Sequence, residues 1–256
     1  IKALLVIVQP GMEGGNAFAD VISGKVNPSG KLVDSWAYKY EDYPSAATFS
    51  HNNGNVEKEF YEEGLYVGYR YFHTFGIPVR YGFGYGLSYT TFEIQNASIK
   101  KEQTNLLKVS MEKEAHRLIA YAKTELLQPG EAQSITLEIP AECLTSYDEK
   151  KAAWVLEKGF YGIFLGNSLE SANLTFGLQL DQDAVLEKVK NLFPLKDALK
   201  ELEQPAGATC KREAVQAALA RSKQLPVLEL KAAEFKTKEI VYRKNSELAA
   251  PEAMEF

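Results

Sequence analysis

FYEEGLYVGYRYFHTFGIPVRYGFGYGLSYTTF (residues 60–92) holds 12 of the chain's 29 aromatic residues and six glycines in 33 positions. Glycine and proline are poor in helix interiors. Here Gly64, Gly68, Gly76, Pro78, Gly82, Gly84 and Gly86 recur too often for a long helix. A free coil has no use for so many large apolar rings. The stretch therefore predicts a compact crossover, with rings wedged between packed surfaces and glycines letting backbones pass closely.

Upstream, Ala3–Val8 is a continuous apolar run rich in branched residues, which predicts a strand buried on both faces, as in a parallel sheet. Pro10-Gly11-Met12-Glu13-Gly14-Gly15 breaks it. A helix is predicted from Asn16 to Ser23, with Phe18, Ala19, Val21 and Ile22 on its apolar face and Gly24 as its stop. Asn27-Pro28-Ser29-Gly30 predicts a turn, and Lys31–Trp36 a second strand. Strand, helix and strand in this order read as the tail of an α/β domain.

Downstream, Ala132–Ile139 alternates, with Ile135, Leu137 and Ile139 on one side. Leu127–Glu131 reads as a turn. Trp154–Glu157 and Phe160–Leu165, separated by Lys158-Gly159, predict a hairpin-like pair. Leu174–Leu180 is a further strand candidate. Short strands with turn signals predict a β-sandwich. Beyond Asp181, helical spacing appears in Ala184–Phe193, Ala198–Glu203 and Lys211–Lys223. Leu225–Leu230 could form a strand, and Lys231–Phe256 is charged and loose in character.

Two motifs, YEEGLYVGYRYF (61–72) and YGFGYGLSYTTF (81–92), together with PGMEGGNAFADVISGKVNPSGKL (10–32), resemble the end of the α/β domain of family 3 glycoside hydrolases. Those are β-glucosidases and related exo-acting enzymes. Leu126–Ile139, Trp154–Leu156 and Tyr161–Ser168 resemble the fibronectin type III-like domain that follows it in the family. The implied fold class is α/β plus all-β. Residues 1–92 would be a partial α/β sandwich, 93–180 a fibronectin type III-like β-sandwich, and 181–256 a helical linker. Leu178–Leu180 leading into Asp183–Val189 is similar to the junction in relatives of reversed domain order, where the barrel comes last. One departure stands out. LLKVSM (106–111) passes directly to EKEAHRLIAYAKT (112–124), where the family places several further strands. A sandwich with too few strands would expose edges and apolar faces.

The resemblance implies a retaining glycosidase acting on a β-glucoside or oligosaccharide, without cofactor or metal. Such chemistry needs two carboxyl groups roughly 5–5.5 Å apart. The family takes its nucleophilic aspartate from a β/α barrel, itself about 250 residues, and its acid/base glutamate from a segment upstream of Ala3–Val8. No catalytic residue carries over to this chain, which is expected to be inactive alone. Glu13, Asp34, Asp42, Glu62 and Glu63 are the alternative carboxylates. Their commoner reading is solvation, capping or turn bonding, and Glu13 stands where a carboxylate meets a helix dipole. A different reading makes the chain a non-catalytic module holding carbohydrate or protein on its aromatic patch, with Tyr66 and Tyr85 as anchors. A third is a broken reading frame whose product folds poorly.

Other chemistries find little support. Gly82-Phe-Gly-Tyr-Gly86 has the wrong spacing for a nucleotide loop, and Ser88 lacks a nucleophile-elbow context. His51, His73 and His116 share no ligand spacing. Arg70 and Arg80 stand among tyrosines and could stack on rings. A formal net charge of −5 argues against nucleic acid, which calls for a basic face. No apolar run approaches the roughly 18 residues of a membrane span. Cys143 and Cys210, far apart and without metal spacing, read as free thiols of a reducing compartment, hence the cytoplasm. A start at Ile1, directly into a strand, reads as a fragment.

Overall fold

The computed structural model describes residues 4–50, 52, 54–99, 116–191, 200–203 and 225–240. Helix α1 spans Gly14–Ile22 and ends as its sequence predicts. The Ser23 amide donates to the Ala19 carbonyl and the Gly24 amide to that of Val21. Gly24 sits at φ +76°, a left-handed stop that costs glycine little. The run before it differs from expectation. Residues 4–8 belong to no sheet, and Leu4 to Val8 are all exposed. A strand exists by its ladder partners, and among the described residues nothing pairs with this one. Lys31–Trp36 is likewise corrected. Strand β1 is Trp36–Ala37, antiparallel to β2, Val79–Tyr81. Leu32 is instead bonded through both backbone groups to Gly84 and Tyr85.

The glycine-rich stretch contains a helix after all. α2, Tyr69–Phe75, fits between Gly68 (φ +58°) and Gly76 (φ +70°). The glycines stand at its two ends, both at positive φ, with Gly76 as the left-handed stop, and none falls inside. Asn27–Gly30 closes no turn of its own. The Asn27 side-chain oxygen accepts from the Ser88 hydroxyl (3.0 Å) and the Tyr89 amide (2.8 Å), clasping the far end of the aromatic stretch.

Among the described residues, seven strands build the second unit: β3 Ser146–Asp148, β4 Ala153–Leu156, β5 Gly159–Leu165, β6 Asn173–Leu180, β7 Ala184–Lys188, β8 Val227–Leu230 and β9 Lys238–Glu239. They form two sheets, β3-β4-β7-β9 and β5-β6-β8. β4 and β5, expected as a hairpin, lie in different sheets. The chain crosses between layers at Lys158-Gly159, where Gly159 has φ +146° and the Lys158 amide bonds the Asp183 carboxylate at 2.8 Å. A crossing, unlike a hairpin, lets both strands turn apolar side chains into one shared interior.

Residues 184–193 read as helical, yet Ala184–Lys188 is strand β7 with Ala184 and Leu186 buried. Alternate burial against β4 outweighs a weak local helical preference. β8 was legible as a strand, but it joins β6 in parallel, Gly177 opposite Val227 through Leu180 opposite Leu230. Residues 225–239 therefore contribute two strands to the sandwich rather than to a linker. The expected helix Lys211–Lys223 and Cys210 lie outside the described residues, as do 192–199.

The core is continuous across both sheets, led by Leu156, Leu178 and Leu180, with Ala141 and Leu144 closing one end from a 3₁₀ turn, Ala141–Leu144. The turn at 127–131 forms as read: the Glu131 amide donates to the Gln128 carbonyl at 3.0 Å, and the Glu131 carboxylate accepts from the Gln128 amide at 2.7 Å. Its two arms do not pair. Ala132–Ile139, expected as a strand, runs extended without a ladder, and a groove of about 490 Å³ opens between 118–122 and 136–138. Tyr121 and Leu126 are 84% exposed, the exposed apolar surface that the shortened sequence between 111 and 112 foreshadows. Truncating Leu178, fully buried, is expected to cost about 2–5 kcal/mol, whereas Leu126→Ala should stay within about 0.5 kcal/mol. Urea denaturation of the two variants checks this.

Candidate functional site

The aromatic stretch forms the seam between the two units. Its rings meet edge to face or tilted: Tyr43 with Phe72 (5.3 Å between centroids), Tyr66 with Phe75 (5.1 Å), Tyr69 with Phe83 (4.5 Å) and Tyr81 with Tyr85 (5.0 Å). Such pairs add to the burial of apolar area. Tyr66 and Phe72 are buried. Burial first, and the Asp42 carboxylate second, push the Tyr71 hydroxyl above its ordinary pKa. Arg80 lies over the Tyr81 ring at 5.9 Å, the stacking that its aromatic neighbours suggested.

Gly82-Phe83-Gly84-Tyr85-Gly86 has a structural use. The Leu169 amide donates to the Phe83 carbonyl at 3.1 Å, joining the loop to the β5–β6 connection. A Cβ on Gly84 would meet the Ser168 Cα at 2.9 Å, and one on Gly86 the Gly30 carbonyl oxygen at 2.5 Å. The absent side chains allow three backbone segments to touch. No helix follows the loop; residues 87–95 are irregular.

Of the five alternative carboxylates, those of Glu13 and Asp42 bond near neighbours in the chain. Glu13 precedes α1, and its carboxylate accepts from the Asn16 side chain at 2.7 Å. Asp42 closes a 3₁₀ turn, Tyr40–Asp42, by accepting from the Lys39 amide at 3.0 Å. Asp34 faces the Gly68 backbone. The Glu62 carbonyl accepts from the Leu202 amide, and the Glu63 carbonyl from that of Tyr66 at 2.9 Å. Ser88 is committed to Asn27.

Two residues that sequence spacing kept apart are brought together. His73 on α2 and His116, at the entry to the second unit, place their Nδ1 atoms 3.0 Å from one another. They lie 43 positions apart, so no local pattern could have revealed the pair. No group of three or more His, Cys, Asp or Glu suited to a metal occurs among the described residues. Cys143 is half-buried and is in no disulfide among the described residues.

With this geometry in hand, comparison with known proteins is direct. Residues 1–69 match the glycosyl hydrolase family 3 C-terminal domain, and residues 105–169 the fibronectin type III-like domain. The chain thus belongs to glycoside hydrolase family 3 and carries its C-terminal domains. It is 40% identical over 240 residues to beta-glucosidase A of Butyrivibrio fibrisolvens, covering 75% of this chain and 28% of that protein. Beta-glucosidase of Ruminococcus albus is 36% identical over 217 residues, covering 73% and 22% respectively. Among solved structures, a beta-glucosidase from Paenibacillus barengoltzii matches with TM-score 0.61 and 36% identity, over 70% of this chain and 23% of that one. Beta-glucosidase 3B from Thermotoga neapolitana, in complex with α-D-glucose, matches with TM-score 0.61 and 34% identity, over 69% and 28%. The chain spans about a quarter of the length of these relatives.

Gly84→Ala should loosen the seam, since φ is +80° and the new Cβ meets backbone that cannot swing aside. A cost of roughly 1–3 kcal/mol is expected, with faster amide exchange through 81–86. Gly15→Ala, in α1 with open space around its Cβ position, should be neutral or stabilising by up to about 1 kcal/mol.

Proposed function

We propose that this chain is a non-catalytic part of a retaining β-glucosidase-like enzyme that removes terminal β-linked sugars. The observation that carries the reading is the 40% identity to beta-glucosidase A over 240 residues, confined to 28% of that protein. The two carboxyl groups of the reaction, roughly 5–5.5 Å apart in a retaining enzyme, are supplied outside these 256 residues. The role of this part is then mechanical. Its seam holds the α/β unit against the sandwich, and the aromatic rings serve packing there.

Glu13 and Asp42 lend support from the opposite direction. Their carboxylates bond near neighbours in the chain, the Asn16 side chain and the Lys39 amide. Incubated with an aryl β-glucoside, the purified chain should release no aglycone above the buffer rate, and Asp34→Asn or Glu62→Gln should change nothing. Turnover abolished by either substitution would overturn the reading.

A further inference from the structure

Tyr121-Ala122-Lys123-Thr124-Glu125-Leu126-Leu127 has no strand beside it. Neither helix, turn nor bend interrupts the segment, and among the described residues no ladder includes it. Tyr121 and Leu126 are its most exposed apolar side chains. Exposed apolar residues taken singly are ordinary. An open run of extended backbone is not, because its N–H and C=O groups are a template for another strand.

One bond shows which edge is open. The Glu125 amide donates to the Gln133 side chain at 2.9 Å, toward the other arm of the turn. Along an extended chain successive residues direct their N–H and C=O groups to opposite edges. Ala122, Thr124 and Leu126 therefore direct theirs away from that arm. Among the described residues no hydrogen bond takes up those groups. The Gln128 amide, next in the same series, is closed off by the Glu131 carboxylate at 2.7 Å. The open edge thus ends at Leu126.

We infer that this edge is the docking surface for a second copy of the chain, paired antiparallel about a twofold axis at Thr124. The sequence is its own complement in that register. Lys123 stands opposite the partner's Glu125, and Thr124 opposite the partner's Thr124. Ala122 meets the partner's Leu126, and Tyr121 the partner's Leu127. Opposite charges, paired threonines and apolar pairs are the cross-strand combinations that favour a sheet. The twofold axis repeats each pair, so the charge match occurs twice. The open groups of Ala122, Thr124 and Leu126 form the bonded pairs. Lys123 and Glu125 then fall in the non-bonded pairs, where side chains approach most closely. The charges also fix the register. A slip that keeps the same edge bonded sets either Lys123 opposite the partner's Lys123 or Glu125 opposite the partner's Glu125, and like charges directly opposite are destabilising. An interface of this length is small beside the roughly 20–30 residues a side of a standard one. The dimer is therefore weak, formed at high protein concentration and loosened by salt. The inference stands apart from the glycosidase reading, since it concerns neither sugar nor catalysis.

The test is sedimentation velocity of the full chain at low salt, from micromolar to near-millimolar concentration. A monomer–dimer equilibrium is expected. Lys123→Glu places like charges opposite one another at both pairs and should weaken dimerisation roughly tenfold or more. Glu125→Lys should do the same. The double variant Lys123→Glu/Glu125→Lys exchanges the charges and should restore the dimer. Both side chains are exposed, so the substitutions act on docking, and recovery in the double variant separates a lost contact from a lost fold. A chain that stays monomeric throughout would overturn the inference and leave the edge to a strand of other origin. Association that neither single substitution weakens, or that the double variant fails to restore, would overturn it as well.

Discussion

Strand β6 is bonded on one edge to β5 and on the other to β8, and the sandwich depends on it. Phe176, Leu178 and Leu180 point from one of its faces into the core, the last two with no exposure at all. Burying such a side chain contributes roughly 1.5–3 kcal/mol. The opposite sheet has no core of its own without them: Leu156 of β4 and Leu186 of β7 are buried in the same cluster. Because β8 enters beside β6, a segment nearly 50 positions later in the chain becomes part of the same layer. The parallel pairing needs a long return, and residues 181–226 provide the length for one.

Onto this body the α/β unit is joined by surfaces rather than by a shared core. Its helices are short, and β1 and β2 make a sheet of two strands. What holds it is the aromatic seam with its glycine contacts, and the clasp from Asn27 to Ser88 and Tyr89. Residues 4–8 share no sheet, and all are exposed. The exposure departs from what an apolar run composed for burial on both faces of a parallel sheet predicts. Membership of the family explains that composition: the run lies in the region matching its C-terminal domain.

Much of this was legible beforehand. The motifs at 10–32, 61–72 and 81–92 identified the family, because glycines and rings in that order answer to one packing arrangement. Helix α1 was legible from its apolar face and Gly24. Strands β4, β5 and β6 were legible from apolar runs bounded by turn residues. Their partners were not, since period-two alternation says which face is buried and nothing about which strand lies alongside. β7 read as helix for a related reason: Ala184, Val185, Leu186 and Val189 satisfy both periods, and only contact with β4 decides between them. Of the candidate site residues, Asp42 closes a turn and Glu13 accepts from the Asn16 side chain. The meeting of His73 with His116 lay beyond any reading of spacing.

By itself, then, the chain's chemistry determined the family, the two-unit composition and the positions where backbone must bend or approach closely. These are local properties, set by glycine's missing Cβ, by proline and by clusters of rings. Tertiary structure alone decided that β4 and β5 part into separate layers, that residues 225–239 return to complete the sheets, and that two distant imidazoles converge. Each of those outcomes is a contact between segments remote in sequence. Its free energy belongs to the assembled pair and has no counterpart in either segment alone.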